Sequence, residues 1–134
     1  MLTQIEKRLC DSAISARHNA YAPYSKFKVG AAILDEFDNI HLGVNVENAA
    51  YPQGSCAEAG AISAMIASGG IKIKLIAVSG AGTQLCTPCG GCRQRIREFA
   101  SLQTDILICT DSIFKKRLVL EVLLPASFGP GHIT

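Results

Sequence analysis

Two cysteine motifs constrain what this chain can be more than any other feature of its sequence. The first is Cys56-Ala57-Glu58, and the second is Pro88-Cys89-Gly90-Gly91-Cys92. The spacing of Cys89 and Cys92 is typical of metal ligands, and Cys56 adds a third thiolate with Glu58 two residues later. Three protein ligands beside a proton-carrying carboxylate leave one coordination position open for water. The two motifs therefore predict a zinc enzyme.

The length and composition indicate one globular domain, residues 1–134. Hydrophobic residues make up 49% of the chain and charged residues 18%, a balance typical of a well-filled core. The net charge is +2 and the longest basic run is Lys115-Lys116-Arg117, so we expect no nucleic-acid partner. We also expect no export signal and no membrane anchor, and hence a cytoplasmic protein whose six cysteines favour metal binding over disulfides.

Hydrophobic periodicity predicts a chain of alternating helices and strands. Helices are predicted at residues 2–20, 56–68 and 88–99, strands at 27–34, 40–46, 73–79, 104–110 and 114–119, and the tail after Pro125 is predicted to be irregular. Thr87 and Pro88 are typical of an N-cap and a first helical position. The order α-β-β-α-β-α-β-β predicts an α/β fold, a mixed five-stranded sheet with helices on both faces.

The cysteines of both motifs fall at predicted helix starts. Cys56 lies in the first turn of the second helix, and Cys89 and Cys92 lie in the first turns of the third, on one face. A helix N-terminus carries partial positive charge and favours the thiolate form of cysteine. If the two helix starts meet, the three sulfurs come within reach of a single ion.

Each of these residues also has a structural interpretation. Ser55-Cys56-Ala57-Glu58 matches a capping box, in which Glu58 would bond to the N-cap amide of its helix. Cys86-Thr87-Pro88-Cys89 is a second C-x-x-C, so the spacing alone leaves open a closed structural site of four cysteines. We expect the remaining cysteines and the histidines to be core, surface or packing residues: Cys10, Cys109, His18, His41 and His132.

Five segments follow one another in a specific order along the chain. They are residues 24–32 (YSKFKVGAA), 45–49 (NVENA), 56–58 (CAE), 88–94 (PCGGCRQ) and 123–128 (LLPASF). Together they resemble the small cytidine deaminases of the zinc-dependent nucleoside deaminase superfamily. The resemblance implies a three-layer α/β/α fold and the hydrolytic deamination of cytidine and 2′-deoxycytidine to uridine and 2′-deoxyuridine, with release of ammonia, in pyrimidine salvage.

The resemblance also implies roles for individual residues. Cys56, Cys89 and Cys92 would hold one zinc ion per subunit together with a water, and Glu58 would move protons between that water, ring N3 and the departing amine. Asn45 and Glu47 would hold the ribose hydroxyls. The remaining substrate contacts would come from Phe27, which packs against the base, and from Asn48, Tyr51 and Ala57. In the homotetramer that the family implies, Phe128 would reach the base pocket of a neighbouring subunit.

One position departs from the family pattern. Many members carry arginine directly after the catalytic glutamate, but here Glu58 is followed by Ala59. We therefore expect another donor to offset the charge of the three thiolates, and Arg93 is the nearest candidate in sequence. Two other functions stay open: deamination of a different cytosine nucleoside such as blasticidin S, and a zinc-stapled binding module without catalysis. Glu47-Asn48 argues against the former, and the latter would require Cys86 as the fourth ligand.

Overall fold

The computed structural model describes all of residues 1–134 and contains four α-helices and five strands. In chain order these are α1 (Gln4–Arg17), β1 (Gly30–Asp35), β2 (Ile40–Val44), α2 (Ala57–Ala67), β3 (Ile73–Ser79), α3 (Gly90–Phe99), β4 (Asp105–Cys109), β5 (Phe114–Val119) and α4 (Leu120–Leu123). Two short 3₁₀ turns lie at Tyr51–Gln53 and Pro130–His132.

The five strands form one mixed sheet in the order β2-β1-β3-β4-β5. β1 runs antiparallel to both β2 and β3, β3 runs parallel to β4, and β4 runs antiparallel to β5. The parallel pair needs a crossover connection, and α3 supplies it. The predicted mixed five-stranded sheet is confirmed.

Helices cover both faces of this sheet, as predicted. On one face, α1 buries Leu9, Cys10 and Ala13 against the sheet residues Ala32 and Leu107. On the other face, α2 and α3 bury a second cluster against the sheet: Ala57, Ala61, Ile62, Met65 and Ile96, packed with Ile33, Ile76 and Ile106. Because β1 is buried along its whole length, the sheet is sealed on both sides at its centre. Both cysteine motifs lie on the α2–α3 side.

A glycine in β2 lets α2 lie directly against the sheet. A Cβ at Gly43 would stand 2.1 Å from the Ala57 carbonyl oxygen and 2.2 Å from the Ala61 amide nitrogen, so no larger residue fits there. Residues 57–61 form the first turn and a half of α2. This close approach therefore fixes the helix start that carries Cys56 and Glu58.

The first strand begins at Gly30, three residues after the predicted start of residues 27–34, because the side chain of Asn45 bonds to the backbone of residues 27–29 in place of regular strand pairing. The Val29 amide donates to the Asn45 Oδ1 (2.9 Å), and the Asn45 Nδ2 donates to the Phe27 carbonyl oxygen (2.8 Å). The segment is thus held to Asn45 by these side-chain bonds and by one backbone bond, from the Asn45 amide to the Val29 carbonyl oxygen (3.2 Å), and regular pairing starts only at Gly30.

β2 ends at Val44, two residues before the predicted end of that strand. Val46 pairs instead with Ser55, through backbone bonds of 2.9 Å in both directions. This bridge closes a loop, residues 47–54, and delivers the chain directly to Cys56. The loop carries three of the predicted substrate-binding residues, so the bridge also brings them close to the start of α2.

The observed helices are shorter than predicted, with α1 starting at Gln4 instead of residue 2 and α2 lacking one predicted residue at each end. α1 ends at Arg17 instead of residue 20, because the amides of Asn19 and Ala20 turn back to the carbonyls three residues earlier. α3 starts at Gly90, with Cys89 and not Thr87 as its N-cap, since Cys89 is still extended (ψ 166°). The tail has more structure than predicted, with a 3₁₀ turn at Pro130–His132, and α4 was not predicted.

Candidate active site

The two cysteine motifs meet at the N-termini of α2 and α3. Cys56 is the N-cap of α2 and Cys89 is the N-cap of α3, and neither helix has a side-chain hydrogen bond at its cap. Cys92 follows in the first turn of α3. The three Sγ atoms all lie within 4.8 Å of one another, and those of Cys56 and Cys89 are 4.0 Å apart. The expected meeting of the two helix starts is confirmed.

The spacing and charge of the three thiols fit a zinc ion. Tetrahedral zinc with Zn–S bonds of about 2.3 Å places its sulfur ligands roughly 3.8 Å apart. Burial, together with Glu58 and Cys56 nearby, raises the pKa of the Cys92 thiol, whereas the Cys92 amide holds the pKa of the Cys89 thiol below its usual value. A cation between the three sulfurs would stabilise their thiolate forms, and a tetrahedral ion held by three sulfurs keeps a fourth position free.

Cys86 lies outside this sulfur cluster. Its half-buried side chain lines a separate surface pocket, together with Phe27 and the loop of residues 81–85. Burial raises the pKa of the Cys86 thiol, with further contributions from Glu58 and Cys89. The geometry therefore favours three sulfur ligands over four.

Glu58 is a buried carboxyl group beside the sulfurs, only 4% exposed. The capping-box interpretation is wrong, because the N-cap is Cys56 and not Ser55, which leaves Glu58 at the second helical position without a capping bond. Burial raises the pKa of Glu58, while the Cys92 thiol and Arg95 act in the opposite direction. A buried carboxyl group with a raised pKa is a candidate for general acid–base catalysis.

The arginine nearest the sulfurs is Arg95, and the prediction that Arg93 fills this position is wrong. The Arg93 guanidinium donates to the Pro88 carbonyl oxygen (2.7 Å), the Leu123 carbonyl oxygen (2.8 Å) and the Thr87 hydroxyl (3.1 Å). These bonds turn Arg93 away and fasten the loop before α3 to α4. Arg95 Nη1 instead donates to the Cys92 Sγ at 3.6 Å.

Three of the predicted substrate-binding residues line one cavity. Glu47, Asn48 and Tyr51 surround a space of about 390 Å³, whose wall is completed by Tyr24, Ser25 and Gly54. Glu47 Oε1 accepts from the Tyr24 amide (3.0 Å) and the Ser25 amide (3.1 Å), and Oε2 accepts from the Ser25 hydroxyl. The Ser25 hydroxyl and these amides lower the pKa of Glu47, so it is an anionic acceptor in the cavity wall.

The structure does not bring the other predicted substrate-binding residues into this cavity. Both polar atoms of the Asn45 amide are bonded to the backbone of residues 27–29. Phe27 is 43% exposed beside Cys86, and Ala57 is buried at the first position of α2. The substrate contacts assigned to these three residues stay predictions.

Phe128 is exposed and packs within its own chain. Its ring is 57% exposed and stacks on His132, with ring centroids 5.1 Å apart. Gln94, on α3, donates to the Phe128 carbonyl oxygen at 2.9 Å, which holds the tail beside the helix that carries Cys92. The role of Phe128 in a neighbouring subunit stays a prediction.

The remaining cysteines and one histidine belong to the packing. Cys10 and Cys109 are buried in the cluster under α1, as predicted. His41 is buried as well, and its Nε2 lies 2.7 Å from Asp35 Oδ2 at the β1–β2 turn. The α1 side of the sheet, where Cys10 and Cys109 lie, holds no part of the sulfur cluster.

Sequence reasoning missed Arg95 and the three residues that complete the cavity wall, Tyr24, Ser25 and Gly54. Helix geometry could have found Arg95, because it lies three positions after Cys92 and therefore on the same face of α3. Ser25 is separated from Glu47 by 22 positions in sequence, and only the folded chain brings the two together.

Comparison with known proteins agrees with this geometry. Residues 3–108 match the family described as the cytidine and deoxycytidylate deaminase zinc-binding region. This stretch holds both cysteine motifs, Glu58 and the loop with Glu47. The chain belongs to this family of zinc-binding deaminases.

Individual relatives match over nearly the whole chain. The cytidine deaminase of Sporosarcina psychrophila is 37% identical over 97% of this chain and 95% of its own length. That of Mycobacterium tuberculosis is 39% identical over 88% and 85%, respectively. Among solved structures, the cytidine deaminase of Burkholderia pseudomallei superimposes with a TM-score of 0.85 at 35% identity, covering 95% of this chain and all of that one. The predicted fold is thereby confirmed. None of the helices has the length and hydrophobicity of a membrane-spanning segment.

Proposed function

We propose that this chain, acting as one catalytic domain over residues 1–134, hydrolytically deaminates cytidine and 2′-deoxycytidine to uridine and 2′-deoxyuridine with release of ammonia. The observation that carries the proposal is the meeting of Cys56, Cys89 and Cys92 at two open helix starts beside the buried Glu58. The names of relatives that match most of the chain support the same reaction.

Cys56, Cys89 and Cys92 would hold one zinc ion per chain. The helix starts place partial positive charge beside the three sulfurs, which lie within 4.8 Å of one another, close to the separation in a tetrahedral zinc site. When bound, zinc lowers the pKa of a coordinated water toward neutrality and so supplies the hydrolytic nucleophile at neutral pH. The protein residues then have to place the base and move the protons.

Glu58 is the proton carrier of the proposed reaction. Its buried carboxylate accepts a proton from the attacking water and delivers it to ring N3, which makes C4 of the base more electrophilic. Once the water oxygen has bonded to C4, the same carboxyl group moves the remaining proton of that oxygen to the amine, so that the C4–N bond breaks, ammonia leaves and C4 becomes a carbonyl. Burial raises the pKa of Glu58 from the ordinary value, which makes the carboxylate a better proton acceptor than an exposed glutamate.

The cavity beside Glu47 is where the sugar would bind. The ionised Glu47 is a strong acceptor for a ribose hydroxyl, and Asn48 and Tyr51 share its wall. Asn45 would add a polar contact to the sugar, Phe27 would pack against the base, and Ala57 would contact the base beside Glu58. Both ribose and deoxyribose have a 3′-hydroxyl, which is consistent with activity on both nucleosides.

The proposed enzyme acts in the cytoplasm as a homotetramer whose sites are shared between subunits. Support comes from exposed aromatic side chains near the cavity, where Tyr24 and Tyr51 are 50% and 76% exposed, and from the exposed Phe128. In the tetramer Phe128 would close the base pocket of a neighbour. Mixing inactive Phe128→Ala chains with Glu58→Gln chains should restore activity, whereas mixed oligomers that stay inactive would contradict sharing.

Two alternative functions are less well supported. A closed, non-catalytic zinc module needs Cys86 in the sulfur cluster and Glu58 as a helix cap, and neither is observed. Deamination of blasticidin S would use the same zinc chemistry, but Glu47-Asn48 argues for a sugar with free hydroxyls.

One assay on purified protein separates these functions. The loss of ultraviolet absorbance is followed with cytidine, 2′-deoxycytidine and blasticidin S, and zinc content is measured on the same sample. We expect turnover of the first two nucleosides and one zinc per chain. Protein that holds zinc but turns over none of the three would contradict the proposed function, and turnover of blasticidin S alone would support the alternative deaminase.

A further inference from the structure

Three thiolates leave the proposed zinc centre with excess negative charge. They outnumber the two positive charges of the ion, and the carboxyl group of Glu58 is buried beside them. The starts of α2 and α3 each offer the equivalent of only about half a positive charge. Ala59, which follows Glu58, supplies none. A cationic side chain near the sulfurs would balance the site.

Arg95 is the cation in contact with the sulfur cluster. Its Nη1 donates to the Cys92 Sγ at 3.6 Å, and the two residues lie three positions apart on one face of α3. Cys92 is fully buried, so the contact acts on a sulfur that is shielded from water. Gly91 leaves room for it, because a Cβ at that position would lie 3.3 Å from the same Nη1 atom.

The side chain at position 59 of α2 faces the same groove as Arg95, and alanine leaves that groove open. Ala59 and Arg95 line one open groove of about 450 Å³ between α2 and α3, together with Ser63 and Gln94. A long side chain at position 59 would start from the opposite wall of this groove and compete for the same space. The small side chain of Ala59 on α2 therefore leaves room in the groove for the side chain of Arg95 on α3.

We propose that Arg95 is the charge-balancing residue of the zinc centre, supplying from α3 the positive charge that α2 lacks at Ala59. The inference rests on the proposed function, and Arg95 is a positioning residue that acts through Cys92 without touching the substrate. Its contact stabilises the negatively charged complex of ion and thiolates, and so tightens zinc binding.

Replacement of Arg95 has two expected consequences. Loss of a hydrogen bond to a charged group commonly costs about tenfold in an equilibrium constant, so Arg95→Gln should weaken apparent zinc affinity about tenfold. The kcat for cytidine should fall as well, because chemistry at the ion depends on its net charge. The KM should change little, since Arg95 is not part of the cavity that contains Glu47.

The test measures zinc affinity by competition with a chromophoric chelator near neutral pH. It compares wild type, Arg95→Gln, the double variant Ala59→Arg/Arg95→Gln and the control Arg8→Gln, which removes the same charge from an exposed position on α1. Circular dichroism of each protein checks folding, and the kcat and KM for cytidine are measured on the zinc-saturated proteins.

We expect weaker zinc binding and a lower kcat in Arg95→Gln, wild-type values in Arg8→Gln, and recovery of most of the zinc affinity in the double variant. Wild-type zinc affinity in a folded Arg95→Gln would overturn the proposal. If Arg95→Gln is unstable, the double variant decides, and its failure to bind zinc more tightly than Arg95→Gln would also overturn it. If the wild-type protein binds zinc but does not deaminate cytidine, the proposed function is contradicted. The zinc affinities of the variants then still test the role of Arg95.

Discussion

α1 and α2 both carry a glutamate in the first turn, but only α1 uses it to close the helix start. At α1 the side chains close the helix end: the Glu6 amide donates to Thr3 Oγ1 (3.2 Å), and the Thr3 amide donates to Glu6 Oε1 (2.9 Å). At α2 the N-cap is Cys56, which makes no such bond, and Glu58 follows it. A closed start stabilises its helix, whereas an open start leaves its positive end free to favour thiolates.

The two glutamates of these helix starts differ in the direction of their pKa shift. The Arg117 guanidinium, 2.8 Å away, lowers the pKa of Glu6 to about 2. Burial raises the pKa of Glu58. Glu6 is therefore a permanent charge that holds structure, and Glu58 is a group whose proton can move. The surroundings of the carboxyl group, and not the residue type, separate a cap from a proton carrier.

Removal of a cluster sulfur should have the largest effect. Cys92→Ala should lose zinc and essentially all activity, because two sulfurs remain where a stable site needs three or four protein ligands. Cys10→Ala, at a buried cysteine on the structural helix α1, should keep both. Zinc content and cytidine turnover on the same samples check this. Cys86→Ala should also keep its zinc, and loss of the metal in that variant would contradict the open three-sulfur site.

Glu58→Gln should retain zinc and lose roughly 100- to 10,000-fold in kcat, the range typical of general acid–base catalysis. Glu6→Gln is the matched change at the closed helix start and should leave kcat unchanged. Steady-state kinetics of the two zinc-loaded variants measure the difference. Activity within a few-fold of wild type in Glu58→Gln would remove the distinction between the two glutamates.

Glu47 shares one feature with Glu6 and another with Glu58, so its replacement tests the comparison further. Like Glu6 it accepts from backbone amides, those of Tyr24 and Ser25, but it also lines the proposed sugar cavity. Glu47→Gln should raise the KM for cytidine about tenfold, the effect of losing one hydrogen bond to an ionised group. Kinetics and thermal denaturation are measured together. A lower melting temperature with an unchanged KM would make Glu47 a structural residue like Glu6.

The smallest effect concerns the stability of the closed helix start in acid. Glu6→Gln should lower the free energy of unfolding by roughly 0.5–1 kcal/mol at neutral pH, as for other partly exposed ion pairs. Because the pKa of Glu6 is lowered on folding, its contribution is present above the ordinary value of 4.5 and is lost as the pH falls toward about 2. Melting curves of wild type and variant should converge over this range. A difference in stability between wild type and Glu6→Gln that stays constant as the pH falls would contradict a stabilising role for the ionised Glu6.

Much of the fold followed from local patterns. The predicted β3 and β5 match the observed strands at both ends. β3 is a largely apolar run flanked by Gly70 and Gly80, and β5 begins just after the turn residues Asp111 and Ser112. The start of α3 was misplaced, since Thr87 and Pro88 are good helix-start residues locally but Cys89 is held extended beside Cys56. In that case tertiary contacts overrode local preference.

In the candidate site, the motif residues were predictable but their neighbours were not. Helix spacing places Arg95, and not Arg93, on the face of Cys92, but the Leu123 carbonyl oxygen that holds Arg93 away from the sulfurs lies 30 residues along the chain. The amide of Asn45 is likewise directed by the backbone of residues 27–29. Side-chain direction depends on such distant partners, which a single sequence does not specify.

X-ray absorption at the zinc edge tests the central claim most directly, because it counts the ligands of the ion. An open catalytic centre at the starts of α2 and α3 predicts three sulfurs at about 2.3 Å and one oxygen at about 2.0–2.2 Å in the substrate-free protein. It also predicts that the spectrum of Cys86→Ala is unchanged. A shell of four sulfurs in the wild type that becomes three in Cys86→Ala would show a closed structural site and contradict the account.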